Sequence, residues 1–460
     1  MLKHTAKWLV VATTASILLT SCATGTGTKA NSDVDYDPGA TLTGTLSVMG
    51  FGTGDEIAKT RYDLATKALG SKVTVKLIEG DLDLQQFLSS VATGSPPEII
   101  YASRDQLGSL AARGAIISLD ECIAGEGIAK GDFVEAGLKQ VTFNGHVYGI
   151  PEFNSIEVTM ANKTLLDAAG LTLDDVNGSD WEAMTKASQS MTQTSGGKLT
   201  VIGVDSKLPE FLPLWAKANG ADLISADGKK AQLNDPKVVE ALKWAVGIYD
   251  GEGGFSAVKA YRDSADFFGA GNQFATNVLG AMPFEQWYLN VLNDVSPTAP
   301  MAFDTVRDRN GDPIAYASGS AWAIPAGSDN AAAACRFAKT MTDVDSWVAA
   351  AQARLDLRTA DGKPFTGVLT GNRVADAKVH SMVTSGGEPW DSGVDAMYEA
   401  NDHSFALPAN PADQEFKTIW QGAVNEVLNG QSTPQEALDQ AQEDAQKALD
   451  KAWEDIKTKE

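Results

Sequence analysis

Thr45-Leu46-Ser47-Val48-Met49, then Gly50-Phe51-Gly52-Thr53-Gly54, then a helical run from Asp55: a strand, a tight turn and a helix follow one another directly. The first five residues alternate as a strand does, and the closely spaced glycines permit the turn. The unit recurs. Residues 72–78 read as the next strand and 82–93 as a helix ended by Gly94. Pro96-Pro97 leads into a short buried strand, Glu98-Ile99-Ile100-Tyr101, and residues 104–113 form a helix stopped by Gly114. Strands alternating with helices predict α/β domains with mostly parallel sheets.

Further along, residues 141–148 form a hairpin turned by Asn144-Gly145, and 301–316 form a second turned by Asn310-Gly311. Residues 162–169 are a helix closed by Gly170, and 320–324 are a strand. Ser328 caps a helix over 330–340. Thr433-Pro434-Gln435-Glu436 is a capping box with proline at the first helical position, and Leu438, Ala441, Ala445 and Leu449 keep helical spacing after it. A body of this length exceeds one ordinary domain.

The N-terminus has its own logic. Lys3 and Lys7 precede an uncharged run over 8–20, the layout of a signal peptide over 1–21. The run is too short for a permanent span, which needs about 20 apolar residues. Residues 22–40 are rich in Gly, Thr, Asp and Ser and read as a flexible tether. The chain carries a net charge of −23, which becomes −25 without a leader holding two lysines and no acid. So acidic a chain lacks the clustered cations that nucleic acid requires.

Cys122 and Cys335 are the cysteines left after Cys22, and the sequence leaves open whether they form a bridge. No histidine pair has zinc spacing, and Asp33-x-Asp35-x-Asp37 lacks the bidentate acid of a calcium loop. The glycines at 50, 52 and 54 fit neither phosphate-loop pattern. No Gly-x-Ser-x-Gly elbow is present. No cofactor is expected.

Four segments carry a family resemblance, beside a separate motif at the end of the leader. Leu19-Thr20-Ser21-Cys22 resembles a bacterial lipobox, with the lipid on Cys22. Gly94-Ser95-Pro96-Pro97-Glu98-Ile99, Val147-Tyr148-Gly149-Ile150-Pro151 with Asn162-Lys163 and Ala168-Ala169-Gly170-Leu171, Gly280-Ala281-Met282-Pro283-Phe284-Glu285-Gln286-Trp287, and Gly319-Ser320-Ala321-Trp322-Ala323-Ile324 resemble, in order, motifs of the family-1 extracellular solute-binding proteins, the group that includes maltose-binding protein. The resemblance implies a two-lobed periplasmic-binding-protein fold, type II-like, with a multi-strand hinge and the ligand in the interlobe cleft. The lobes are expected over 41–155 plus 298–345 and over 156–297 plus 346–460. The crossings are expected near 151–160, 292–300 and 343–350.

The implied ligand is a carbohydrate, delivered to the permease subunits of an ABC importer by a monomer anchored outside the cell membrane. Sugars offer apolar faces to aromatic rings and hydroxyls to carboxylates and amides. The candidate ligand residues are Trp287 and Trp322, then Trp215 and Trp390, with Phe153 and Asn154 at the hinge, Asp55 after the glycine turn, Glu285, and Arg358 as the arginine. Pro283 disfavours a helical Met282 and places Glu285 and Trp287 in the first turn of a helix. Two other readings stand beside this one: the same fold holding a polyol, glycerol phosphate, polyamine or peptide, and an exported carbohydrate-active enzyme. Replacing Cys22 by serine is expected to release the protein from the membrane fraction; retention there would show a different anchor.

Overall fold

The computed structural model describes residues 36–458. The leader over 1–21, Cys22, Asp33, Asp35 and most of the tether expected over 22–40 lie outside the described residues.

Two five-stranded sheets organise the chain. The first takes β1 (Gly44–Phe51), β2 (Val73–Glu79), β3 (Ile99–Ser103) and β4 (Ile150–Ser155). The second takes β5 (Glu157–Asn162), β6 (Gln193–Ser195), β7 (Lys198–Val204), β8 (Leu279–Glu285) and β9 (Met301–Thr305), after which β10 (Ser318–Ala323) returns to the first. The orders are β2-β1-β3-β10-β4 and β9-β5-β8-β7-β6. β1 runs parallel to β2 and β3, and β8 parallel to β7. β10 in the first sheet and β5 in the second are antiparallel to their neighbours. Each sheet has its own apolar core.

The helices that matter below are α1 (Glu56–Ala68), α2 (Asp120–Gly125), α3 (Trp287–Val295), α4 (Ala331–Thr342), α5 (Val344–Ala360), α6 (Trp390–Asp402), α7 (Asp413–Leu428) and α8 (Pro434–Lys457). Local signals set many of their ends. The Asp55 carboxylate accepts from Ala58 N–H at 2.7 Å and starts α1. Thr433 and Glu436 form the capping box of α8. Asn144 and Gly145 both adopt positive φ, 48° and 83°, the pair a two-residue hairpin turn demands.

The first passage between the sheets lies at Ile156, inside the stretch expected to cross. The second does not lie at 292–300. Strand β9, expected with the first lobe, pairs antiparallel with β5 from Met301 opposite Asn162 to Thr305 opposite Val158, and buries Met301 and Phe303 in the second core. The return therefore runs at Tyr316–Ser318. The hairpin expected over 301–316 shrinks to a tip in which Asp308 N–H donates to Asp312 O at 2.8 Å, while Ala315-Tyr316 pairs with Ser404-Phe405. Helix α5, expected with the second lobe, packs on α1 through a separate cluster that includes Ile57 and Trp347.

Pro283 lies within β8 and does not precede a helix, so Glu285 ends a strand and only Trp287 opens α3. Gln286 N–H donates to Ile156 O, which by alternation turns the backbone nitrogen of residue 283 away from β5. On that other side β7 has already ended at Val204, so the missing N–H costs no ladder bond.

Cys122 of α2 and Cys335 of α4 are joined in a disulfide across 213 residues of sequence. Among the described residues no helix is long and apolar enough to cross a membrane. Replacing both cysteines by serine is expected to cost about 2–4 kcal/mol, read as a lower urea midpoint; an unchanged midpoint would mean that the link constrains nothing.

Candidate functional site

A cavity of about 260 Å³ opens between the sheets. Its walls come from Asp55 at the end of the β1 turn, Phe153 of β4, Trp287 and Asn290 of α3, Arg354 of α5 and the loop at Gly367. Three sequence candidates meet here: Asp55, Phe153 and Trp287. Asp55 is already engaged, since Arg354 Nη2 donates to its second oxygen at 3.0 Å while Glu56 also grips that guanidinium.

Trp287 stands half-buried at the start of α3, packed edge-on against Phe284 at 5.5 Å. Its ring lies nearly parallel to that of Phe268, with centroids 6.3 Å apart and planes 14° from each other. Phe268 is 66% exposed, the most exposed of the large apolar side chains described. Of the two rings, Trp287 is the one that lines the cavity. Sequence reasoning missed Phe268; the signal was an adjacent aromatic pair, Phe267-Phe268, in a stretch with neither strand nor helix periodicity.

Glu285 sits directly opposite Glu157 across β8 and β5. Glu157 is buried, and its carboxylate accepts from Tyr316 N–H at 2.7 Å. Burial, then the neighbouring Glu285, push the Glu157 carboxyl well above the usual range. Burial likewise raises Glu285, with Lys207 opposing and Glu210 adding to the rise. Glu285 Oε2 has no hydrogen-bond partner in the protein. Lys207 Nζ lies 4.7 Å from the centre of the Phe284 ring.

Other candidates are placed elsewhere. Trp322 is fully buried in the first core between Tyr101 and Phe337. Trp215 is buried in the second core, its indole N–H donating to Ser206 O at 2.8 Å. Trp390 packs on Phe303 and donates to Pro297 O. Arg358 is spent on Asp294 at 2.7 Å, on Pro364 O and on Asn293. Asn154 is buried between Arg104 and Asn401. Sequence reasoning also missed Gln286, whose side chain accepts from Ile156 N–H at 2.9 Å and donates to Asn154 O at 3.0 Å. Among the described residues no group of three or more His, Cys, Asp or Glu is placed to hold a metal ion.

A family profile described as bacterial extracellular solute-binding protein matches residues 62–360. The chain is 26% identical over 352 residues to a maltooligosaccharide ABC transporter solute-binding lipoprotein of Streptococcus pneumoniae, covering 72% of this chain and 74% of that one. Among solved structures it is similar to CpMnBP1 with mannobiose bound, with a TM-score of 0.69 and 22% identity over 88% of this chain and 100% of that chain. It is also similar to the ABC substrate-binding protein Lmo0181 of Listeria monocytogenes in complex with cycloalternan, with a TM-score of 0.69 and 19% identity over 89% and 99% of the two chains.

The buried acid pair makes a prediction about pH. Because the folded state raises the Glu285 pKa, its stabilising proton is fully present below the unfolded glutamate range and is lost as pH rises through the folded value. Glu285→Gln removes the ionisation. The variant without ligand is expected to melt above the parent at about pH 8, the difference shrinking towards about pH 4; a constant difference across that range would place the carboxylate in solvent.

Proposed function

Because the chain belongs to the bacterial extracellular solute-binding protein family, we propose that it captures a carbohydrate, an oligosaccharide, in the interlobe cavity and delivers it to the permease subunits of an ABC importer. The observation that carries the reading is the cavity itself, walled from the first lobe by Asp55 and Phe153 and from the second by the Trp287 ring. An aromatic face covers the C–H surface of a sugar ring, and a carboxylate accepts from its hydroxyls. Phe153 and Asp55 approach from the first lobe, so a ligand between them touches both lobes and favours the closed form. The named relatives support the same ligand class. The guanidinium that lines the cavity, Arg354, is already paired with Asp55 and Glu56, which argues against a phosphorylated ligand.

The protein acts as a binder and carrier without chemistry of its own. It works as a monomer outside the cell, held to the membrane by a lipid on Cys22, with the segment before the folded body as its tether.

Calorimetry with maltotriose, mannobiose and other oligosaccharides tests the reading, alongside small-angle scattering. Saturating ligand is expected to reduce the radius of gyration. A ligand that binds with no such change would indicate a rigid surface site. Trp287→Ala is expected to lose affinity while the melting temperature without ligand barely moves. Losing a hydrogen bond to a charged group, worth about 1.5–3 kcal/mol, should weaken binding of Glu285→Gln about ten- to hundredfold. If both variants bind as the parent does, this segment is not the site. Product release from an oligosaccharide would instead support the enzyme reading.

A further inference from the structure

Away from the cleft lies a second, much smaller chamber of about 30 Å³. Arg104, in the single helical turn after β3, forms one wall, with Gln140 from the short helix Glu135–Val141 beside it and Asp413 and Trp420 of α7 opposite. All four side chains are more than nine-tenths buried. Five of their polar atoms have no hydrogen-bond partner in the protein: Arg104 Nε and Nη1, Gln140 Oε1, Asp413 Oδ2 and Trp420 Nε1.

The atoms of Arg104 and Gln140 that are satisfied reach the hinge. Arg104 Nη2 donates to Asn154 Oδ1 at 2.8 Å and to the Ser318 carbonyl. Gln140 Nε2 donates to Ala317 O at 3.3 Å. Asn154 lies at the end of β4, just before the first passage between the sheets, and Ala317 and Ser318 form the return passage. Two side chains of the first lobe therefore hold both crossings. Gly319 is part of the fit: a Cβ there would lie 2.1 Å from Phe153 O and 2.9 Å from Arg104 Nη2.

A buried guanidinium with unmet donors is costly unless something solvates it. Asp105, its sequence neighbour, is taken by Ser103 Oγ at 2.6 Å and Lys417 Nζ at 2.6 Å. Asp413 spends its other oxygen on Ser109 and on Gln414 N–H. None of the five unpartnered atoms has surface open to water, so the bonds that Arg104 and Gln140 do make to the two crossings are what hold these side chains in place.

We propose that Arg104 and Gln140 are positioning residues which fix the angle between the two crossings and so the resting separation of the lobes. The role rests on the reading of the cleft as a closing site, but its test needs no ligand.

For the positioning role, spin labels on Lys76→Cys of β2 and Lys243→Cys of the helix Pro236–Asp250, both exposed, report the interlobe distance without ligand. Arg104→Met is expected to broaden and shift that distribution, and Gln140→Leu to do so to a lesser degree with the near-ultraviolet dichroism of the cores unchanged. If Arg104→Met does not fold, Gln140→Leu decides alone. A distribution that superimposes on the parent's overturns the role. Failure of every oligosaccharide to bind would sink the carbohydrate reading and leave this result standing.

Discussion

The backbone of Ile156 is the constraint on which the rest depends. It is the one residue between β4 of the first sheet and β5 of the second, where neither ladder can serve its polar groups in full. A buried, unpaired backbone group is costly. Gln286 supplies what is missing: its side chain accepts from Ile156 N–H, its backbone N–H donates to Ile156 O, and its amide reaches Asn154 O. The residue that completes the hinge is flanked by Glu285 and Trp287. The proposed ligand contacts of the second lobe therefore hang directly on the crossing, and a change at one is felt at the other.

Polar burial is concentrated around that crossing. Glu152 of β4 is gripped by Arg61 of α1 and Tyr101 of β3, and the Arg61 guanidinium lies 3.7 Å from the centre of the Trp347 ring. Beyond Asn154, Asn401 of α6 passes hydrogen bonds on to Asp376, whose carboxyl burial raises to about 7. Apolar side chains would pack such a junction in many nearly equal ways. A chain of directional bonds admits few arrangements, at the cost of desolvating each member. A hinge that must return to the same geometry after each ligand leaves has use for that restriction.

Much of the architecture was legible because it rests on local rules. The Asp55 cap, the Asn144-Gly145 hairpin, Gly170 at positive φ and the Thr433 capping box each depend on a few adjacent residues and form as read, whereas the turn read over 50–54 starts later, because Gly50 and Phe51 still belong to β1. Errors arose where distant pairing decided. Whether Met301–Thr305 belonged to one sheet or the other turned on its match with β5, some 140 residues earlier, which no local pattern reports. Pro283 misled in the same way, because its place in β8 is allowed only by the end of β7. The disulfide was undecidable from spacing, since it joins helices brought together by the first core.

The tryptophans divide by a single geometric rule. Trp322 lies within β10, flanked by β3 and β4, so its ring is covered by the core on which the sheet packs. Trp215 lies inside a helix against the second core. Trp287 comes two residues after a strand has ended, as the first residue of the next helix, where no neighbouring strand remains to cover it. Asp55 occupies the equivalent place after β1, and Phe153 lies near the end of β4. In open α/β sheets the carboxyl ends of strands are where crevices form and where helix N-termini leave backbone N–H groups exposed. Both lobes thus aim that edge at the same cavity, and a tryptophan's distance beyond its strand, more than its identity, decides whether it faces the core or the cleft.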